Sequence, residues 1–249
     1  MKESELKNMK ILAVDSSAIS AGCAIVDGGD VIAESFVRVG LTHSETLLPM
    51  VANTLANAKL TAEDIDCFAV SSGPGSFTGI RIGVAAVKGM AFSRNTPCIG
   101  VSTLEAIAWN GMALDGVICA AMDARRQQVY NALFTFDGEG MNRLCDDRAI
   151  SIEELTNQLR DESRPIYLAG DGAALCYESM RESLPDVRLM PEHMRYQRGF
   201  GVAMAAQRIL LHDGAVTPDK LVPTYLRPSQ AEREKMNLKL RKVNKKEIT

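Results

Sequence analysis

The chain has 249 residues, 46% of them hydrophobic, and its 28 basic and 31 acidic side chains leave a net charge of -3. That length and apolar share fill one large core or two modest ones, and the near-balanced charge excludes capture of a nucleic-acid backbone or an anionic membrane by bulk attraction alone. No apolar run approaches the ~20 residues of a transmembrane helix, and the charged start, Met1 to Lys10, lacks a signal peptide's apolar core, so a cytoplasmic location and no membrane partner are expected.

"KILAVDSS", Lys10 to Ser17, reads as a strand ending in Asp15, Ser16 and Ser17. "AGCAIV" and "DVIAESFVRV" around the turn signal "DGGD" read as a hairpin. From Glu45 to Lys59 the apolar residues Leu47, Leu48, Val51, Leu55 and Ala58 recur at helical spacing. "DIDCFAVSS" returns to a strand, and "TGIRIGVAAVKGMAFSRN" to a helix that starts near Gly79 with Ser76 or Thr78 as its cap. "PCIGVS" is then a strand, and "TLEAIAWN" a helix opened by Ser102 or Thr103 with Glu105 nearby. Three strands followed by alternating helices and strands over residues 9–110 resemble the half-unit of the actin, Hsp70 and sugar-kinase (ribonuclease H-like) superfamily, where mixed five-stranded sheets carry crossover helices.

The second half repeats that order more loosely. "GVICAAMDARRQQVYNALFTFDG" reads as two strands around a polar turn, and "SIEELTNQLRDE" as an amphipathic helix capped by Ser151. "RPIYLAGDGAAL" is a buried strand entering a glycine turn, and "GFGVAMAAQRILLHDG" a helix stopped by Gly214. The expected organisation is an N-terminal extension (1–9), a first α/β actin-like domain (10–110), a second, degenerate one (111–228) and a charged tail (229–249). Six cysteines (Cys23, Cys67, Cys98, Cys119, Cys145, Cys176) without a Cys-x-x-Cys pair read as small buried hydrophobes of a reducing compartment.

The segment richest in punctuation is "SSGPGSFTGIRIG", Ser71 to Gly83. It has no Lys-Ser/Thr after its glycines and so is no Walker A loop, and Gly73, Gly75 and Thr78 lack the last glycine of a dinucleotide fingerprint. Pro74 stands two residues before Ser76, which excludes the serine-hydrolase elbow. Two readings stay open. Gly73, Gly75, Ser76, Thr78 and Gly79, with Arg81 one turn in, form an anion site at a helix N-terminus, or they form a tight strand-to-helix turn.

"GPGSFTGIRIG", taken with "ILAVDSS", "THSETLLPM", "IGVSTLEAIA" and "PTYLRP", resembles the TsaB (YeaZ) family from about Lys10 to Pro228, with the motifs in family order. The resemblance implies a non-catalytic scaffold or activator of TsaD, the subunit that threonylcarbamoylates N6 of the adenosine next to the anticodon in tRNAs reading codons that begin with adenine. It implies a heterodimer with TsaD, joined by TsaE, a homodimer in isolation, and tRNA reached only through the complex. A TsaD-like metal site uses two histidines four apart; here His43 is followed by Leu47, so no metal is expected. Asp15, Ser16 and Ser17 resemble the first phosphate loop of the actin-like fold, but the second-half equivalent reads "MDARRQQ" and has no glycines. No cofactor is expected in this chain beyond a weak or shared nucleotide at the partner interface. The alternative is an actin-fold ATP-dependent phosphotransferase with an atypical phosphate loop.

Family members pair through these helices, so a partner face is expected on the two helices that flank the glycine loop. On the first it comprises His43, Met50, Ala52, Asn53, Ala56 and Asn57, with Leu47, Leu48, Val51 and Leu55 turned to the chain's own sheet. On the second it comprises Ile82, Ala86 and Met90, with Ile80, Val84, Val87 and Ala91 inward.

Overall fold

The computed structural model describes residue 6 and residues 8–40, 42–138, 140–212 and 214–227. The expected tail, and most of the expected N-terminal extension, lie outside the described residues.

Strands β1 (Lys10–Asp15), β2 (Ala21–Asp27) and β3 (Asp30–Val37) form an antiparallel meander, and β4 (Cys67–Gly73) and β5 (Cys98–Ser102) extend it in parallel on the other side of β1. The resulting order is β3-β2-β1-β4-β5. The middle strands β1 and β4 are buried along nearly their whole length, which is why "ILAV" and "CFAV" carry apolar residues continuously instead of alternating them.

Helices α1 (His43–Asn57) and α2 (Phe77–Phe92) cover one face of this sheet in a single core with Leu12, Val14, Ile25 and Phe68. The buried positions of α1 are Leu47, Met50, Val51, Thr54 and Leu55, the spacing of one helical face. This corrects two expectations. Leu48 is 52% exposed, not part of the inner stripe, and Met50 is 7% exposed, not part of the outer face. The physical reason is angular: with Leu47 and Val51 inward, the third inward position of each repeat falls on 50 and not on 48. In α2 the stripe of Ile80, Val84, Val87 and Ala91 is buried as expected, and Ile82, Ala86 and Met90 are half-buried at the edge of the same core.

The second sheet has the order β11-β10-β6-β7-β8, built from β6 (Val117–Asp123), β7 (Gln128–Asp137), β8 (Gly140–Arg143), β9 (Arg148–Ser151), β10 (Ile166–Ala169) and β11 (Val187–Leu189). It repeats the first sheet's arrangement, with one difference from the five strands expected. Two short strands share the outer edge of β7: β8 pairs with its Phe134–Asp137 end and β9 with its Gln128–Asn131 end. Helices α4 (Ile152–Gln158) and α5 (Ala173–Met180) pack on one face around Cys119, Leu155 and Cys176.

Helix α3 (Thr103–Trp109) joins the halves, and all seven of its residues are buried. Ala106 and Trp109 pack into the core on the back of the first sheet, while Leu104, Ile107 and Ala108 pack into that of the second. A short helix buried all round is stable here because it is covered on both sides and its one charge, Glu105, is paired. After α6 (Glu192–Arg195), helix α7 (Gly199–Leu210) follows the second sheet in sequence and packs on the back of the first, with Val202, Ala203 and Ala206 against Ile11 and Ala13. Gly201 permits this approach: a Cβ there would lie 1.9 Å from the carbonyl oxygen of Ala106 on α3. Glu105 locks the junction, taking Arg143 Nη2 at 2.9 Å and Arg208 Nε at 2.9 Å.

All six cysteines are free, and all but Cys145 are buried. Burial pushes the thiols of Cys23, Cys67 and Cys176 up to about 12, which keeps them in the unreactive protonated form.

Candidate functional site

At the end of β1, Asp15 is fully buried and accepts three hydrogen bonds: from Ser17 N at 2.9 Å, from Ser17 Oγ at 2.8 Å and from Ser71 Oγ. Burial raises its carboxyl above the ordinary value of 3.8, and the serine bonds oppose that rise. The next two residues close onto the glycine loop. Ser16 Oγ donates to Gly79 O at 2.9 Å, and Ser17 O accepts from Ser76 N at 2.6 Å.

The glycines serve this closure. Gly73 has φ +140°, and a Cβ there would lie 2.0 Å from Thr224 O; a Cβ on Gly79 would lie 2.0 Å from Ser16 O. Ser76, the N-cap of α2, accepts from Gly79 N at 3.3 Å. Of the sequence-level alternatives, the tight turn describes Gly73, Gly75 and Gly79. Three amides of this closure are engaged within the chain: Ser17 N on the Asp15 carboxylate, Ser76 N on Ser17 O and Gly79 N on Ser76 Oγ. Thr78 is exposed on the first turn of α2.

Arg81 does not face a free anion pocket. Its guanidinium lies 3.9 Å from the centre of the Phe77 ring, and its Nε donates to Tyr225 Oη at 2.9 Å. Phe77 and Tyr225 stack at 4.8 Å. These contacts clasp a strap, residues 221–227, across the loop. Thr224 N donates to Ser72 O at 2.7 Å, and Lys88 Nζ donates to the carbonyl oxygens of Asp219 and Leu221 at 3.1 and 3.2 Å. The separate sequence motifs "GPGSFTG" and "PTYLRP" are therefore two halves of one contact.

His43 opens α1 half-buried, with Nε2 2.6 Å from Ala18 O in the β1–β2 turn. It thus ties α1 to the turn beside Asp15, whereas Ala52, Asn53, Ala56 and Asn57 are exposed. Exposed Leu48 joins those four, and Phe92, 78% exposed at the end of α2, was not anticipated either. Its signal was its place one residue beyond the inward Ala91.

A cleft of about 920 Å³ opens beside the loop, bounded by residues 17–19, 74–78, 122–125 and 224–227. In the β6–β7 turn beside it, Arg125, Arg126 and Gln127 take φ of +67°, +56° and +57°, a left-handed run of side-chain-bearing residues. Asp123 occupies the place in β6 that Asp15 holds in β1, and its Oδ1 accepts from Arg125 N at 2.7 Å. Asp171 accepts from Gln197 Nε2 at 2.7 Å, and burial, reinforced by the Asp123 charge, raises its carboxyl. Arg38, Tyr130, Tyr196 and Tyr225 also line the cleft. Arg38, Tyr130 and Tyr196 did not stand out in the sequence, because each comes from a different segment, whereas Tyr225 lies within the motif "PTYLRP". Among the described residues no group of three histidine, cysteine, aspartate or glutamate side chains is placed to hold a metal, and no helix is long and apolar enough to cross a membrane.

Residues 38–232 match the family model described as TsaD, tRNA N6-adenosine threonylcarbamoyltransferase. The chain is 31% identical over 225 residues to the tRNA threonylcarbamoyladenosine biosynthesis protein TsaB of Bacillus subtilis (strain 168), covering 90% of this chain and 96% of that protein. It is 28% identical over 234 residues to the TsaB of Haemophilus influenzae, covering 89% and 95%. With the TsaB of Escherichia coli (strain K12) it shares 37% identity over 152 residues, 60% of this chain and 65% of that protein. Among solved structures, YeaZ from Pseudomonas aeruginosa superposes with a TM-score of 0.76 at 24% identity, over 88% of this chain and 100% of that one, which shows a shared fold.

Proposed function

Because the chain belongs to the TsaB family of tRNA threonylcarbamoyladenosine biosynthesis proteins, we propose that it serves this modification as a non-catalytic subunit, activating a TsaD-type transferase that it binds through the outer face of α1 and α2. The transferase supplies the chemistry at N6 of the adenosine next to the anticodon, in the cytoplasm, with a TsaE-type ATPase joining the pair. The observation that carries the non-catalytic reading is the closed first loop: Asp15 is fully buried under hydrogen bonds from Ser71 and Ser17, and the Ser17 and Ser76 amides are engaged within the chain. A phosphotransferase needs that carboxylate and those amides free for metal-bound phosphate, which disfavours the kinase alternative.

The pairing face is supported by its composition. Leu48, Ala52 and Ala56 recur at four-residue spacing on the exposed side of α1 and present apolar or small side chains. Small side chains admit a second helix closely, and the apolar rim formed by Leu48 and Phe92 gives it something to bury against. When the transferase is absent, the same face suits a second copy of this chain, since related folds offer equivalent surfaces. His43 contributes by holding the N-terminus of α1 on the β1–β2 turn.

Ala56→Arg places a long charged side chain on an exposed position and leaves the core untouched. Expressed with a TsaD-type partner, this variant is expected to keep its melting temperature and to lose co-purification. Pairing at wild-type strength would overturn the assignment of this face.

A further inference from the structure

Strand β3 stands at the end of the first sheet, pairing with β2 on one side and with no strand on the other among the described residues. Such an edge offers unpaired N–H and C=O groups to any strand that meets it, and chains ordinarily guard it with a charge, a proline or a bulge. Here the guard is partial. Ala33 lies opposite Ile25 and Val31 opposite Val26, so Ile32 is the extra residue of a bulge that spoils regular pairing at the start of β3. Residues 33–37 keep a regular register and hold no proline, and their one charge, Glu34, is taken by Arg198 Nη2 at 2.7 Å and Nε at 3.1 Å. Val31, Ile32, Phe36 and Val39 are exposed along this border, so the edge is apolar as well as open.

The chain carries a segment of matching pattern. Residues 228–249 follow Arg227 and lie outside the described residues. Within them Met236, Leu238 and Leu240 alternate with Asn237 and Lys239, the period of a strand with one apolar side, over the same length as the regular part of the edge. The starting point also fits. Arg227 and Arg38, the residue after the end of β3, line the same cleft, and the eight residues 228–235 reach about 26 Å when extended, enough to cross it.

We propose that residues 236–240 add to the free edge of β3 as a sixth strand, entering beside Val37 and running towards Asp30, antiparallel to β3. Met236, Leu238 and Leu240 cover the apolar border, and Arg241 and Lys242 come to the end that holds exposed Asp30. Charge favours this occupant over a second copy of the chain. Residues 228–249 hold seven of the 28 basic side chains and three of the 31 acidic ones, whereas another copy of β3 brings the same Asp30 and Glu34 to the edge. The segment is also tethered, which raises its effective concentration at β3 above that of any free strand. No residue of the α1 and α2 face takes part, so this capping and the transferase pairing are tested separately.

The test is hydrogen exchange and NOE measurement by NMR on the full chain at two concentrations, and on Leu238→Asp/Leu240→Asp, whose changes leave both cores untouched. Amides within 236–240 and the outward amides of 33–37 should exchange about tenfold more slowly in the wild type than in the variant. The rates should be the same at both concentrations, and NOEs should join the two segments in antiparallel order. Exchange within 236–240 as fast in the wild type as in the variant, or NOEs from 236–240 to another surface, would overturn the proposal. Protection of 33–37 that grows with protein concentration would assign the edge to a second copy and overturn it equally. Co-purification of the variant with the transferase should match the wild type, and its loss would contradict the separation of the two surfaces.

Discussion

Removing the Arg81 side chain tests whether this residue clasps the strap or waits for an anion. In Arg81→Ala the guanidinium stack on Phe77 and the bond to Tyr225 Oη are both lost. At this exposed position the stack contributes about 0.5–1 kcal/mol, and the hydrogen bond about 1 kcal/mol. The loss of about 1.5 kcal/mol raises the open fraction of the strap about tenfold. Other anchors remain, since Lys88 still holds the carbonyl oxygens of Asp219 and Leu221, so the effect is local and the global melting temperature moves little. The Thr224 amide, bonded to Ser72 O at 2.7 Å, reports the opening. Hydrogen exchange at Thr224 should speed about tenfold in Arg81→Ala, and Arg81→Lys should recover little of the protection because an ammonium has no planar face to lay on the ring. Unchanged protection of Thr224 in Arg81→Ala would refute the clasp.

Two further outcomes concern the buried charges. Glu105→Gln strips the charge from the carboxylate that holds Arg143 and Arg208 where α3, β8 and α7 meet. Because Arg208 is 41% exposed, the cost is at the low side of a broken buried pair, about 2 kcal/mol, read in a thermal melt as a drop of about 4–8 °C; a shift under one degree would contradict the lock. For Asp15, the folded carboxyl sits above the ordinary 3.8 because of burial. The native chain therefore keeps this proton where the unfolded chain releases it, and the stability due to this group falls as pH rises through that window. Asp15→Asn has no such proton, so urea midpoints taken from pH 4 to 8 should show the variant gaining on the wild type as pH rises. Parallel curves would contradict the assignment.

The first sheet was legible because its signals are local. The hairpin turn between β2 and β3, the shift to helical spacing at Leu47 and the Ser76 cap each lie within a few residues of what they specify. Angular detail was less legible. Leu47 and Leu48 are adjacent and equally apolar, and only the register of the whole of α1 decides that Met50 goes in and Leu48 stays out. The sixth strand of the second sheet was hidden because β8 and β9 are four residues each and depend on the edge of β7 for their shape. The site divided along the same line. The glycines of the loop were visible, but what they press against, Ser16 in one direction and Thr224 in another, lies 63 and 151 residues away in sequence. The role of Arg81 depended on Tyr225, 144 residues distant, and no local pattern announces such a partner.

The central claim is that this chain is required for threonylcarbamoylation and contributes no catalytic group to it. The most direct measurement is reconstitution with a TsaD-type transferase, a TsaE-type ATPase, the threonylcarbamoyl-adenylate synthase and unmodified tRNA, with this chain present, absent, or replaced by Asp15→Asn. The account predicts multiple-turnover modification with the wild type and with Asp15→Asn alike, and none without the chain. Full modification in its absence, or loss of modification in a folded, partner-binding Asp15→Asn, would contradict it.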